Sequence, residues 1–482
     1  MKKFKLFFVV LLGAFALQSC GEDTLDSPLY GRLTNESFWT NAEDLVSGVN
    51  GIYEPFTDEE FWSHAEHTFS IIEDDQFRAG DHGEDGPIEN LTFDPSNAQL
   101  RFGWDRKYEV ISRANAVLIN APNIEGVDQA LKNRSMGEAY FLRAFAYWRL
   151  HIIYGGTPLI LEEDVLSSNY NKPKATIAEM QAQIESDLLM AADLLPENNE
   201  GDDLGRAHSG SAWGLLTKLY VYMGRFEDAI TTGNRIISGP YPLADNFADN
   251  FKIETENNPE VLFGIQFLDQ WTSSAHTIHT TPRPWGGWDF HNPLPDLVDE
   301  FEPDDPRMDA TFFMPGEMVD LGGERGMTEY TTDLSQTGYH FQKYASWRPD
   351  GGLDRGHNVP IIRAADIYLL VAEAKIRTNQ NGDAELNAVR TRALGDGAAI
   401  TGATMEDIIH ERRVELAGEN QRHFDLMRWD RAGLVDIVAI YGEDRGPFDP
   451  SRVFDRGKHY YFAIPQREID VSAGVLIQND GY

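Results

Sequence analysis

The stretch MGEAYFLRAFAYWRL, residues 136–150, decides the fold class. Small and large apolar side chains alternate along it at helical spacing, from Ala139 and Tyr140 through Leu142, Ala144 and Phe145 to Tyr147, Trp148 and Leu150. Gly155, Gly156 and Pro158 supply the stop. The same grammar returns twice. Ala212, Leu215, Leu216, Leu219 and Tyr220 run into Gly224, Arg225 and Phe226 and on to Ala229 and Ile230. Ile367, Leu370, Ala372, Glu373 and Ala374 run through Asn381, Gly382 and Asp383 to Leu386, Val389 and Arg390. Small residues facing aromatic ones around a glycine turn suit two close-packed antiparallel helices, and the three stretches together match the tetratricopeptide pattern. Between them, Ile177, Met180, Ile184, Leu188, Ala191 and Leu195 form one apolar stripe, opened by a Thr176/Glu179 capping box and closed by Pro196. Long insertions separate the repeats. The expectation is a mainly α, tetratricopeptide-like scaffold with long loop-rich insertions and short β-hairpins.

The N-terminus sets the address. Lys2, Lys3 and Lys5 precede an apolar run, Phe7 to Leu17, too short to be a permanent membrane helix. Then comes Cys20, the only cysteine. Leu17-Gln18-Ser19-Cys20 resembles the lipobox of bacterial lipoproteins, in which the cysteine is acylated and becomes the first mature residue. An ordinary signal peptide that contains a cysteine is the alternative. Gly21, Glu22 and Asp23 resemble the acidic tag that sends some lipoproteins to the outer face of the outer membrane. The polar residues up to Arg32 form a tether whose ten extended residues reach about 35 Å. Outer-membrane lipid held through acylated Cys20 is thus an expected partner, with the protein anchored and exposed at the cell surface.

Composition narrows the function. The chain has 482 residues, a formal net charge of −37 and 41% hydrophobic residues. That apolar fraction supports a large core, and the charge repels phosphate, so a nucleic-acid role is excluded. With no cysteine after Cys20, disulfides and thiolate zinc sites cannot hold the fold. The chain divides into a signal peptide (1–19), a lipidated tether (20–32), an N-terminal helical half (33–240), a loop-rich ligand-facing insertion (241–360) and a C-terminal helical half packing on the scaffold (361–482).

Several segments together resemble the SusD/RagB family of glycan-capturing lipoproteins. They include Phe38-Trp39 with Val49-Asn50-Gly51, Trp104 with Arg113-Ala114-Asn115, and Glu138-Ala139 with Phe141-Leu142-Arg143-Ala144. Downstream come Asp305-Pro306-Arg307, Glu411-Arg412-Arg413 with Glu415-Leu416, Phe424-Asp425-Leu426, Arg428-Trp429 and Ile464-Pro465. The resemblance implies a non-catalytic lipoprotein that captures oligo- or polysaccharide and delivers it to a SusC-like TonB-dependent transporter. Most of these signatures read as structural. Trp104, Trp148 and Trp213 are expected in the core. Glu411, Glu415, Glu419 and Arg422 are expected on one helix face, with Arg412 beside Glu415 and Glu419, as a charge network between packed helices.

A sugar ring offers one C–H face and a rim of hydroxyls, so its receptor needs flat aromatic side chains and planar polar groups. The insertion supplies Trp271, Trp285, Trp288 and Trp347, interleaved with His276, His279, Arg283, Asp289 and His291. Their structural alternative is to hold a long loop to the scaffold. A second candidate stretch contains Phe61, Trp62, Glu73, Asp74, Asp75, Gln76, Arg78 and Asp81, where Asp75 and Arg78 would hydrogen-bond vicinal hydroxyls. Solvated surface or a calcium-binding loop are the alternatives there, and no other cofactor is implied. Two rival functions stand against glycan capture. A surface glycoside hydrolase needs two carboxylates across a bond, and only the sequence neighbours Asp74/Asp75 and Asp304/Asp305 present themselves. A tetratricopeptide scaffold would bind protein or peptide. The pairs His64/His67 and His276/His279 lack a zinc-protease context.

Overall fold

The computed structural model describes residues 38–482 apart from Ser273. The signal, Cys20 and the 20–32 tether lie outside the described residues. Among the described residues, ten helices of ten residues or more build the body: α1 (Ala42–Tyr53), α2 (Ala98–Asn120), α3 (Gln129–Tyr154), α4 (Ile177–Leu194), α5 (Ser209–Tyr222), α6 (Phe226–Ile237), α7 (Ala364–Arg377), α8 (Asp383–Leu394), α9 (Met405–Glu415) and α10 (Arg422–Arg431).

Helix α3 is where the stretch at 136–150 comes to rest. From Gly137 to Tyr154 every side chain except Tyr140 is buried, because α1, α2 and α4 pack around it. A helix buried on every side is stable only when its apolar residues are enclosed in this way and its charged ones, such as Arg143, find partners. It stops at Gly155, whose φ is +76° and where a Cβ would meet the Tyr461 ring at 3.1 Å. At the start of α4 the capping box forms: the Glu179 N–H donates to Thr176 Oγ1 at 3.2 Å, and the Thr176 N–H donates to Glu179 Oε2 at 2.8 Å. Arg143 of α3 grips Asp187 of α4 through two bonds of 2.8 Å.

Helices α5 and α6 make the next hairpin, and α6 lies so close to α7 that a Cβ on Gly233 would fall 2.2 Å from Val371. Helices α7 and α8 form a further hairpin, and α7 also packs on α9. One apolar core runs from Leu45 to Leu476, with Trp104 and Trp148 inside it and Trp213 packed at its edge.

Eight short strands pair two by two, all antiparallel: β1 (Gln76–Arg78) with β3 (His291–Pro293), β2 (Val261–Ile265) with β8 (Val359–Arg363), β4 (Phe312–Phe313) with β7 (His340–Phe341), and β5 (Met318–Asp320) with β6 (Met327–Glu329). Only β5–β6 is a local hairpin. The β2–β8 pair joins the two ends of the loop-rich region at its neck. The β1–β3 pair stitches that region to the N-terminal half. Inside it, Trp285, Phe313, Val319, Leu321 and Tyr330 form a core of their own.

The charge network exists, with partners other than those expected. Helix α9 ends at Glu415, and Gly418 (φ +72°) turns the chain so that Glu419 leaves the helix face. Arg363 then reaches Glu260 (2.7 Å), Glu415 (2.9 Å) and Glu419 (2.7 Å), while Arg307 holds Asp305 (2.8 Å) and Glu415 (3.1 Å). Arg412 turns the other way, to Asp366 (2.7 Å) and Asp425 (2.8 Å), and Arg422 goes to Asp74 (2.9 Å). Burial pushes the Glu415 carboxyl up, but the guanidinium groups of Arg392, Arg363 and Arg307 outweigh it and hold it well below the usual range.

Candidate functional site

The segment from Leu268 to Trp288 sends its three tryptophans in different directions. Pro282 fixes the entry to a tight turn in which the Trp285 N–H and the Gly287 N–H both donate to the Pro282 carbonyl, at 3.0 and 3.1 Å. Gly286 has φ +105°, and a Cβ on Gly287 would fall 2.0 Å from the Thr281 oxygen. Only glycine fits both positions. The turn drives Trp285 inward and leaves Trp288 facing out.

Trp285 is therefore a correction to the sequence expectation. It is 3% exposed and sits edge-on to Phe313, Tyr330 and Trp347. Trp347 shares this cluster, and its Nε1 donates to the Trp285 carbonyl at 3.2 Å. Both serve as anchors of the loop. Trp62 is also corrected: it is 2% exposed, in the main core under the Arg149 guanidinium. Asp75 is buried and bound to Arg413 at 2.7 Å. Arg78 does not meet it; its Nη1 donates to the His82 carbonyl at 3.2 Å. The acidic run 73–75 thus faces Arg413 and Arg422, which removes the calcium-loop alternative at Asp74 and Asp75.

Two indoles remain open. Trp288 is 39% exposed, and Trp271, at the tip of the turn Leu268–Thr272, is 84% exposed. Trp288 is the better supported of the two. Its ring lies against His279 (5.4 Å between centroids) and Phe290 (5.5 Å), and Phe290 is in turn backed by His82 at 4.5 Å. Beside it, the Arg283 Nε donates to the Trp288 carbonyl at 3.0 Å, which aims the exposed guanidinium toward Asp81, 3.6 Å away. His279 pairs with Glu59 at 3.1 Å, and that hydrogen bond holds the Glu59 carboxyl below its usual value against the opposing pull of burial. The result is a rigid aromatic plate flanked by a guanidinium and carboxylates. Such a surface can stack on an apolar ring face and hydrogen-bond to groups at its rim. Asp81 belongs to the second candidate stretch read from the sequence and meets Arg283 here; Glu59, His82 and Phe290 were not singled out. The signal that could have found them is their chain proximity to Trp62, Arg78, Trp288 and His291.

A cleft of about 570 Å³ lies elsewhere, lined in part by Tyr222, Arg431, Arg456, Lys458, Tyr460 and Tyr461. Its basic character contrasts with the acidic chain. It is assembled from helices and C-terminal loops far apart in sequence, so no single stretch announces it.

Of the four carboxylates that a hydrolase reading would use, three are already committed, and the exposed Asp304 has none of them facing it as a free partner. Asp74, Asp75 and Asp305 are buried against Arg422, Arg413 and Arg307. A buried carboxylate already bonded to a guanidinium is not free to reach a glycosidic oxygen or a water.

Comparison with known proteins agrees with this architecture along nearly the whole chain. A model described as the SusD family matches residues 247–482, and one described as "Starch-binding associating with outer membrane" matches residues 26–221. "SusD-like protein P2" of Formosa agariphila is 27% identical and covers all of both chains. A SusD-like protein of Bacteroides ovatus is 28% identical over 90% of this chain and 84% of its own. Among solved structures, a "Laminarin binding SusD-like protein" superimposes with a TM-score of 0.76 at 26% identity, covering 92% of this chain and 100% of that one. With one model on each half, a relative matched along its whole length and the tetratricopeptide-like body all in agreement, the chain belongs to the SusD family.

Proposed function

We propose that this protein is a non-catalytic surface receptor that binds oligo- or polysaccharide on the plate around Trp288 and passes it to a SusC-like TonB-dependent transporter. Acylated Cys20 holds it to the outer membrane. The observation that carries the reading is the half-exposed Trp288 indole, stiffened from behind by His279 and Phe290 and flanked by Arg283 and Asp81. A preorganised aromatic loses little freedom on stacking, so most of the contact energy appears as affinity. The laminarin-binding relative supports carbohydrate as the ligand class. Tethering near the transporter mouth would raise the local ligand concentration there without any new contact.

The test is a polysaccharide screen followed by titration of Trp288→Ala and Trp271→Ala. Truncating an exposed binding aromatic is expected to cost about 1–3 kcal/mol of affinity with an unchanged melting temperature. Full affinity in both variants, with loss in a Tyr460→Ala/Tyr461→Ala double variant, would move the site to the basic cleft. Delivery is tested separately, by co-purification of the full lipidated chain with a co-expressed SusC-like transporter.

A further inference from the structure

Behind the aromatic plate, the helix His64–Ser70 and the segment 81–85 bring two histidines and an aspartate together. His64 Nε2 lies 3.0 Å from His82 Nδ1 and 3.2 Å from Asp85 Oδ2, and His82 Nδ1 lies 4.0 Å from Asp85 Oδ2. Two features set this apart from a hydrogen-bonded chain. His64 Nε2 faces three polar atoms at once, the third being the Gln99 Nε2 at 3.5 Å. One ring nitrogen carries either one proton or one lone pair, so it cannot satisfy all three. With a proton it has two acceptors and a donor before it; with a lone pair it confronts the Asp85 oxygen. Second, Gln99 is buried and points into the group, yet its Oε1 has no hydrogen-bond partner.

We propose that His64, His82 and Asp85 bind one divalent transition-metal ion of the zinc type, with water, or the Gln99 carboxamide oxygen once that amide turns its Nε2 away from His64, in the fourth position. Zinc takes imidazole nitrogen and carboxylate oxygen at about 2.0–2.2 Å, and a tetrahedron of that size has ligand-to-ligand edges of about 3.3–3.6 Å. The three observed edges bracket that value. Two neutral imidazoles and one carboxylate favour this class over calcium, which prefers an all-oxygen shell. The pairing differs from the sequence-adjacent one: His64 meets His82, while His67 lies on His276 with ring centroids 4.0 Å apart. Asp85 Oδ1 approaches the Thr68 hydroxyl at 3.5 Å, an outer contact that orients the carboxylate. An ion here ties the helix at 64–70 to the segment that carries Asp81.

The experiment uses the purified protein stripped with chelator and titrated with zinc chloride by calorimetry and with cobalt(II) by visible absorption. Expected are one equivalent per chain, the intense d–d bands of tetrahedral cobalt and a rise in melting temperature with zinc. His82 is partly open, so His82→Ala is expected to melt like the stripped wild type while its zinc affinity falls at least tenfold. Asp85→Asn is expected to do the same, whereas His276→Ala keeps the site. Absence of stoichiometric zinc binding in the wild type would overturn the proposal, and so would undiminished affinity in His82→Ala.

Discussion

His423 offers a measurement in which burial and protonation can be separated. It is fully buried; its Nδ1 lies 2.9 Å from the Tyr441 hydroxyl, and its Nε2 has no partner. Burial, helped by the nearby Arg452, pushes its pKa down to about 3. The sign follows from where each state takes up a proton. The unfolded chain binds it near the ordinary histidine value of 6.5, while the native state refuses it until about pH 3. The native state therefore loses nothing above the unfolded pKa and is penalised progressively as pH falls below it. At about pH 5 the penalty is about 1.4 kcal/mol per unit over about 1.5 units, or about 2 kcal/mol. The wild-type curve alone cannot isolate this, because Glu89, raised by burial to about 7, has the opposite sign. The readout is the difference between wild type and His423→Phe in urea unfolding at several pH values. The variant leaves the Tyr441 hydroxyl unpaired, a cost of about 1–3 kcal/mol that does not vary with pH in this range. Between about pH 8 and pH 5 the gap should close by about 2 kcal/mol. Parallel curves would refute the reasoning.

The anchoring roles make three further predictions. Trp285→Ala should leave a cavity among Phe313, Tyr330 and Trp347 and cost about 3–5 kcal/mol of stability, read by urea unfolding with an unchanged m-value. Arg363→Met should remove the cation that bridges Glu260, Glu415 and Glu419, leaving them to Arg392, Arg307 and Lys343, and cost about 3–5 kcal/mol, read the same way; a change below about 1 kcal/mol would show that those remaining cations suffice. Cys20→Ala should abolish incorporation of labelled palmitate and release the protein from the membrane fraction, and continued membrane retention without label would assign anchoring to another segment.

The scaffold was legible because helices repeat their environment every turn. Ala139 to Leu150, Thr176 with Glu179, and Gly224 before Phe226 each encode local geometry that packing then reinforces, and all three appear where the spacing placed them. The charged signatures were legible only as a type. Glu411, Glu415 and Arg412 are indeed in a network, but Gly418 lifts Glu419 off the helix, and Arg412 turns to Asp366 and Asp425. A helical projection cannot see a partner brought in by a different helix. The strands were harder still. β2 and β8 are separated by the whole insertion, and a pairing of that range leaves no periodic trace in either segment.

Binding residues were legible in composition and illegible in direction, and the turn at 282–288 shows why. Trp285 and Trp288 are three residues apart in an irregular segment, where neither the period of a helix nor that of a strand assigns a face. Which indole points out is set by Gly286 and Gly287, through a positive φ and a close approach to Thr281. Those glycines were visible, but their consequence depends on where the Thr281 carbonyl lies. The same holds for Asp75, whose position between Asp74 and Gln76 reads as solvated surface until Arg413 arrives from the far end of the chain. In this fold a receptor surface is what remains after the long-range partners have claimed their residues, so exposure next to a buried aromatic support, as at Trp288 over Phe290, carries more weight than tryptophan density.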